Sequence, residues 1–302
     1  MNTLCLLLAL QIGLALGSDC LKKSSFGDLL LVNYTLQYTN GTIIQESKPH
    51  TPFYPVLLNE TFVLQKKLYM NSMMIVESLL QVCQGGTAHI YIPANDTYNL
   101  QPFIFNEFIS SKSEMDLYVT VNHITTSIEY EIFNGFNDKN NSKILECVNK
   151  NIGINAWDAN GQTPLMTAII ANNLPIVSIL LNAHPPVDVN AMKPTGFNAI
   201  FYAVQYSHAT ILKYLLDKAG ANPSPIILQD GSKGNTPLHY ACLLSKVDHI
   251  ESLLRHGANP FALNEYGQSP LELFPKDNVQ SVKLYVLKLF EDAATNHKRV
   301  EL

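Results

Sequence analysis

The chain has 302 residues, 47% of them hydrophobic and 15% charged, proportions that exclude a disordered chain and fit globular domains. Its net charge of −5 argues against an electrostatic nucleic-acid binder, as does the absence of any run of basic residues longer than a pair before the C-terminal tail. The length accommodates two domains of ordinary size.

In chain order, the first feature is an apolar run of 13 residues from Leu4 to Leu16, followed by Gly17. It is too short to cross a bilayer, but it has the length of a signal-peptide core, with small residues at Ala15 and Gly17 where cleavage would occur. Residues 1–17 therefore read as a signal peptide, with a buried N-terminal strand as the alternative. No later stretch reaches the ~18 apolar residues of a transmembrane helix, so no membrane span is expected. Five Asn-x-Ser/Thr sequons follow, at Asn33, Asn40, Asn59, Asn95 and Asn140. All lie before Lys143, and none occurs among the 15 Asn residues after it, which marks the first half as the glycosylated part.

Residues 18–124 carry strand patterns. "DLLLVNYTLQYTNGTIIQES" holds two β-rich runs joined by Asn40-Gly41, the dipeptide that best tolerates the positive φ of a hairpin turn. "TAHIYIPA" and "MDLYVTVNHI" alternate as half-buried strands do. Between them "SMMIVESLLQVCQGG" reads as a short amphipathic helix stopped at Gly85-Gly86, with Ile75, Leu79 and Leu80 on one face. The expected fold is α+β, an antiparallel sheet wrapped on one helix.

These residues resemble the FKBP family of peptidyl-prolyl isomerases. "FGDLLLVNYT…NGTII" is similar to the family's opening strand and hairpin, "LLQVCQGGTAHIYIPANDTY" to its helix, Gly turn and pocket strand, and "MDLYVTV" to its last strand. Cys20, seven residues before Gly27, and Cys83, two before Gly85, match the branch resident in the endoplasmic reticulum. That resemblance implies a Cys20–Cys83 disulfide, and it places Tyr34 and Tyr98 at the two pocket tyrosines and Phe62 at a pocket Phe. Ile44 stands where the family has Phe, Gln45 where it has Asp, Ile75 at the Trp floor and Leu117 at a last-strand Phe. Isomerisation needs an apolar pocket that disfavours the planar, solvated amide, so these losses imply weak or no activity. Ile75 and Leu117 read equally well as plain core.

Residues 125–142, polar and Asn-rich, read as a linker. From Lys143 the texture is helical and periodic: "GQTPLMTA", "GFNAIFYA", "GNTPLHYA" and "GQSPLELF" begin at Gly161, Gly196, Gly234 and Gly267, spacings of 35, 38 and 33 residues. Thr163, Thr236 or Ser269 caps a helix, the following Pro fits its first position, and the next Leu enters the core. Residues 143–292 thus resemble the ankyrin family, an all-α solenoid with "KILECVNKNIGIN" as an N-terminal half repeat and "VQSVKLYVLKLFEDA" as a C-terminal cap. Such arrays bind proteins through their turn fingers and inner helix face, which makes Trp157, Asn160, Met192, Lys193, Asp230 and Lys233 the candidate partner-binding residues. Trp157 either anchors a partner or packs on the cap. Cys147 and Cys242 read as buried thiols, and His249 and His256 as a solvated face. No nucleotide, metal or nucleophile motif occurs, so no cofactor and no metal are expected.

Residues 293–302 end in "HKRVEL", similar to a luminal retrieval signal except that Val300 replaces its acidic residue. The combined expectation is a protein of the endoplasmic-reticulum lumen. It has an FKBP-like, weakly or not catalytic module and a repeat array that binds client or partner proteins. The alternative is a non-catalytic ankyrin adaptor.

Overall fold

The structure, a computed structural model, describes residues 22–25, 28–46, 54–57, 79, 82–92, 114–206, 209–224 and 234–300. They fall into two compact units. The first runs to Tyr130 and takes in Ala156–Gly161; the second holds the helices.

In the first unit, strand β1 (Leu29–Tyr38) organises the sheet. Along one edge it pairs antiparallel with β5 (Met115–Thr125) over its full length, from Leu29↔Thr125 to Tyr38↔Met115. Its other edge is shared by β2 (Ile43–Glu46) and β3 (Tyr54–Leu57), and β4 (Thr87–Ile92) pairs with β5. The hairpin forms where Asn40-Gly41 predicts it: Tyr38 and Gly41 close the turn, Asn40 Oδ1 accepts the Thr42 N–H, and Gly41 has φ +86.

Side chains alternate across this sheet. Leu36, Ile90, Leu117 and Val119 face an apolar cluster with Leu79 and Val82, against which Tyr34 packs half-buried. Asn33, Thr35, Tyr118 and Thr120 take the opposite register, and there His89 stacks on Tyr118 and reaches Asp116 at 2.7 Å. Asn33 therefore points away from Tyr34 and Leu117. Leu117 is 2% exposed and packs in the apolar cluster.

The segment at Lys22–Ser24 lies antiparallel to Val82–Gln84. Ser24 Oγ donates to the Leu79 carbonyl and accepts the Val82 N–H. Cys83 is disulfide-bonded; its expected partner Cys20 lies outside the described residues, as do Asn59, Phe62, Ile75, Asn95, Tyr98, Asp230 and Lys233. Ile44 and Gln45 lie on β2, their side chains outside what is described.

In the second unit, helices come in pairs: α1 (Glu131–Asn137) with α2 (Asn141–Asn149), α3 (Pro164–Ile170) with α4 (Leu174–Leu181), α5 (Ala199–Tyr206) with α6 (Ala209–Ala219), and α7 (Pro237–Leu243) with α8 (Val247–Arg255). A 3₁₀ turn, Pro270–Leu273, and the long α9 (Gln280–Val300) follow. The first member of each pair packs on the first member of the next, and the second on the second, giving an inner row and an outer row. Thr163 and Thr236 cap α3 and α7 as their motifs predict, with Pro at the first turn. Gly161, Gly196, Gly234 and Gly267 all take positive φ. A Cβ on Gly234 would lie 3.0 Å from the Glu265 nitrogen, so that glycine serves close approach as well.

Asparagines stitch neighbouring repeats. Asn155 Oδ1 accepts the Asp188 N–H at 2.8 Å, and Asn190, at the same repeat position, accepts the Asn222 N–H at 2.9 Å.

Two expectations change here. Residues 125–142 are not an open linker: β5 ends at Thr125, a turn held by Glu129 follows, and α1 forms within the stretch. Likewise the expected half repeat is a full helix pair, because Ile132 and Phe133 bury themselves and Gly135 lets α1 approach Ile144. Asn140, exposed, is the N-cap of α2, its Oδ1 accepting the Lys143 N–H at 3.1 Å.

Candidate protein-interaction site

The repeat unit offers two surfaces built from positions that recur in each repeat. The first is the inner row of helices. Thr167, Tyr202 and Tyr240 occupy one equivalent position on α3, α5 and α7; one turn further along stand Ile170, Gln205 and Leu243, and beside them Ala171, Tyr206 and Leu244. Toward the ends of these helices the side chains come into solvent: Tyr206 is 51% exposed, Leu243 48% and Leu244 44%. Tyr206 and Tyr202 stack, Tyr202 meets Phe197, and Phe201 meets Tyr240 edge-on, so the aromatics form a connected row. Not one Asp, Glu, Lys or Arg occurs in α3, α5 or α7.

The outer row carries charges that pair with one another, Asp217 with His256 at 2.6 Å and Glu251 with Arg255. Lys246 sits at the end of the inner row, but its Nζ donates to the carbonyls of Val204 (2.6 Å) and Gln205 (3.0 Å), and burial lowers its pKa. It closes the C-terminal end of α5 rather than facing a partner.

The second surface is the finger before Gly267. Phe261, Leu263 and Tyr266 are 54%, 65% and 63% exposed. Their backbone is fixed by buried Asn264, whose Oδ1 accepts the N–H groups of Tyr266 (3.0 Å) and Gln268 (2.9 Å) and whose amide donates to Asn235. Phe261 holds the position that Asn155 and Asn190 hold in earlier fingers. A stiff turn bearing three exposed apolar side chains loses little conformational entropy on binding.

The finger residues expected from sequence distribute differently. Trp157 is half-buried within the sheet unit: its indole stacks on His123 with centroids 4.5 Å apart. Thr125 Oγ1 donates to the Trp157 carbonyl and accepts its N–H. Of the two alternatives, anchor or packing on the cap, the ring takes a third place, stacked on His123 of β5. Asn160 is exposed and folds back onto Asp158. Met192 is exposed, while Lys193 is half-buried, its N–H donating to Phe197 and its Nζ reaching Tyr202. The inner tyrosines and the Phe261 finger were missed. The sequence offers a partial signal for them, as Tyr202 and Tyr240 share one offset from their turn glycines and Tyr206 and Leu244 another.

His239 fixes the junction below the finger. Its Nδ1 accepts the Thr236 N–H (3.1 Å) and its Nε2–H donates to the Gln268 carbonyl (3.0 Å), which sets the neutral tautomer. Burial lowers its pKa. His249 is buried and His256 is tied to Asp217, so these two do not form a solvated face. Cys147 and Cys242 are buried, free thiols, and burial pushes Cys242 up to about 12. Among the described residues no cluster of His, Cys, Asp or Glu could hold a metal ion, and no helix is long and apolar enough to cross a membrane.

Comparison with known proteins matches the family "Ankyrin repeats (3 copies)" to residues 137–226 and "Ankyrin repeat" to residues 233–265. The chain is similar to the ankyrin repeat protein nuc-2 of Neurospora crassa, with 29% identity over 50% of this chain and 14% of that protein. It is also similar to the putative ankyrin repeat protein YahD of Escherichia coli, with 30% identity over 40% of this chain and 59% of that protein. The mitochondrial disaggregase of Bos taurus is 27% identical over 44% of this chain and 19% of its own length. The chain thus spans between 14% and 59% of these relatives. Both family matches fall within the helical unit, Ala156–Gly161 apart.

Proposed function

We propose that this chain is a protein-binding adaptor, with the inner row of its repeats as the working face. The observation that carries this reading is the exposure of Tyr206 and Leu244, which share one repeat position, beside exposed Leu243, at the ends of two helices that hold no Asp, Glu, Lys or Arg. Exposed apolar patches of this kind are uncommon on surfaces that contact only water. A photo-cross-linking amino acid at Leu244 tests it against one at exposed Lys213 on α6. The expected result is protein adducts from position 244 and none from 213; equal labelling at both positions would contradict the reading.

A second reading concerns the sheet unit, and specific observations favour it. Tyr34 lies on the same sheet face as Leu117, the hairpin sits at Asn40-Gly41, and Cys83 is in a disulfide, a bond that persists in oxidising compartments. On this reading the unit is an FKBP-type scaffold in the endoplasmic-reticulum lumen. Residues 1–17 direct it there, Cys20 pairs with Cys83, and the tail retains it. With Gln45 and Ile75 in place of the family's Asp and Trp, it holds unfolded chain more than it turns over prolyl bonds. Two measurements test this. A prolyl-peptide assay should give little turnover for the native chain and more for Gln45→Asp with Ile75→Trp. Deglycosylation of the secretory-pathway product should shift its gel mobility; an unchanged mobility contradicts the lumenal address.

A further inference from the structure

Resting on the adaptor reading, we propose that the inner row selects an uncharged, apolar segment of its partner protein. Hydration sets this preference. A charged residue seated on Tyr206, Leu243 and Leu244 loses water and finds no counter-charge on α3, α5 or α7 themselves. Lys246, at the end of the row, is spent on two backbone carbonyls, and Lys193 Nζ reaches the Tyr202 hydroxyl. An apolar side chain pays no such penalty and covers Tyr206, Leu243 and Leu244, whose exposed surface is apolar apart from one hydroxyl. Gln205, exposed between them, offers an amide donor and acceptor to the partner's main chain. By contrast, the outer row displays Asp217, Asp248, Glu251 and Arg255, so selection against charge is a property of α3, α5 and α7 and not of the unit.

The test uses the full chain and three labelled twelve-residue peptides of equal length: a Leu/Tyr/Ser/Asn sequence without charge, the same with three lysines, and the same with three glutamates. Fluorescence anisotropy should show the uncharged peptide binding at least about tenfold more tightly than either charged one, since an unpaired charge at a desolvated contact costs that much or more. Its affinity should change less than about twofold as salt rises toward ~0.5 M, because screening acts on charge pairs. Leu243→Ser and Tyr206→Ser should each weaken it about tenfold. Leu287→Ser on α9, exposed and outside this face, should leave it unchanged. Circular dichroism melts confirm that each variant is folded.

A preference for the lysine or glutamate peptide that is lost in the Leu243 and Tyr206 variants overturns the selection for neutral segments while keeping the adaptor reading. No binding by any of the three overturns both.

Discussion

The sheet unit and the repeat unit reach order by opposite routes. In the sheet, β1 pairs with β5, a strand more than seventy residues further on, and the core cluster draws Leu30, Leu79, Ile90 and Val121 from distant parts of the chain. In the repeats each paired helix touches its partner and its immediate neighbours, and Asn155, Asn190 and His239 each bond to the next unit along. The contrast teaches where damage should spread. A sheet with non-local pairing fails as a whole, whereas a stack of nearest-neighbour interfaces fails locally.

That contrast can be broken by substitution, starting with the largest effect. Leu36→Ala empties a fully buried site at the Leu36↔Leu117 pair and should cost about 2–5 kcal/mol. Hydrogen exchange should then rise across β1, β4 and β5 together and leave α7 and α8 protected; exchange confined to β1 would sink the idea of a cooperative sheet.

Gly234→Ala comes next, at about 1–3 kcal/mol, since the new methyl group meets Glu265 backbone at a positive φ. Limited proteolysis should open the chain near the Phe261 finger while the sheet stays intact.

A smaller loss, about 1 kcal/mol, is expected from Thr236→Ala, which removes the cap of α7. The melting temperature should fall only modestly.

The smallest effect is a matter of pH. His123 in the sheet and His239 in the repeats both have pKa values lowered by burial, and Lys22 adds to this at His123. Their unfolded forms take up protons near the ordinary value of 6.5, before the folded ones do. The stability each confers is therefore complete above that pH and is lost as pH falls below it. His123→Phe keeps a ring on Trp157 and should flatten the acid limb of the sheet transition alone; His239→Gln should do so for the repeats alone. A variant that flattened both limbs would show the two regions coupled.

The same contrast explains what the sequence discloses. Repeat caps and turn glycines are local chemistry: Thr163, Thr236, Gly161 and Gly267 act within a few residues of themselves, so their motifs place helices directly. The hairpin at Asn40-Gly41 is legible for the same reason. Helix α1 is not, because "EIFNGFN" has neither cap motif nor strong propensity and is helical through the burial of Ile132 and Phe133. Trp157 is legible as a finger residue but not as the partner of His123, since nothing in either segment encodes a stack between residues so far apart. In the candidate site, the absence of charge in α3, α5 and α7 is plain in the sequence. Which of those tyrosines and leucines reach solvent depends on packing, and only the structure separates Tyr206 from buried Tyr202.

The most direct test of the central claim is hydrogen–deuterium exchange on the full chain with and without the uncharged peptide. The account predicts slower exchange confined to residues 199–206 and 237–244, with the outer helices and the sheet unchanged. Protection of α6 and α8 instead, or of β1 and β5, would contradict it.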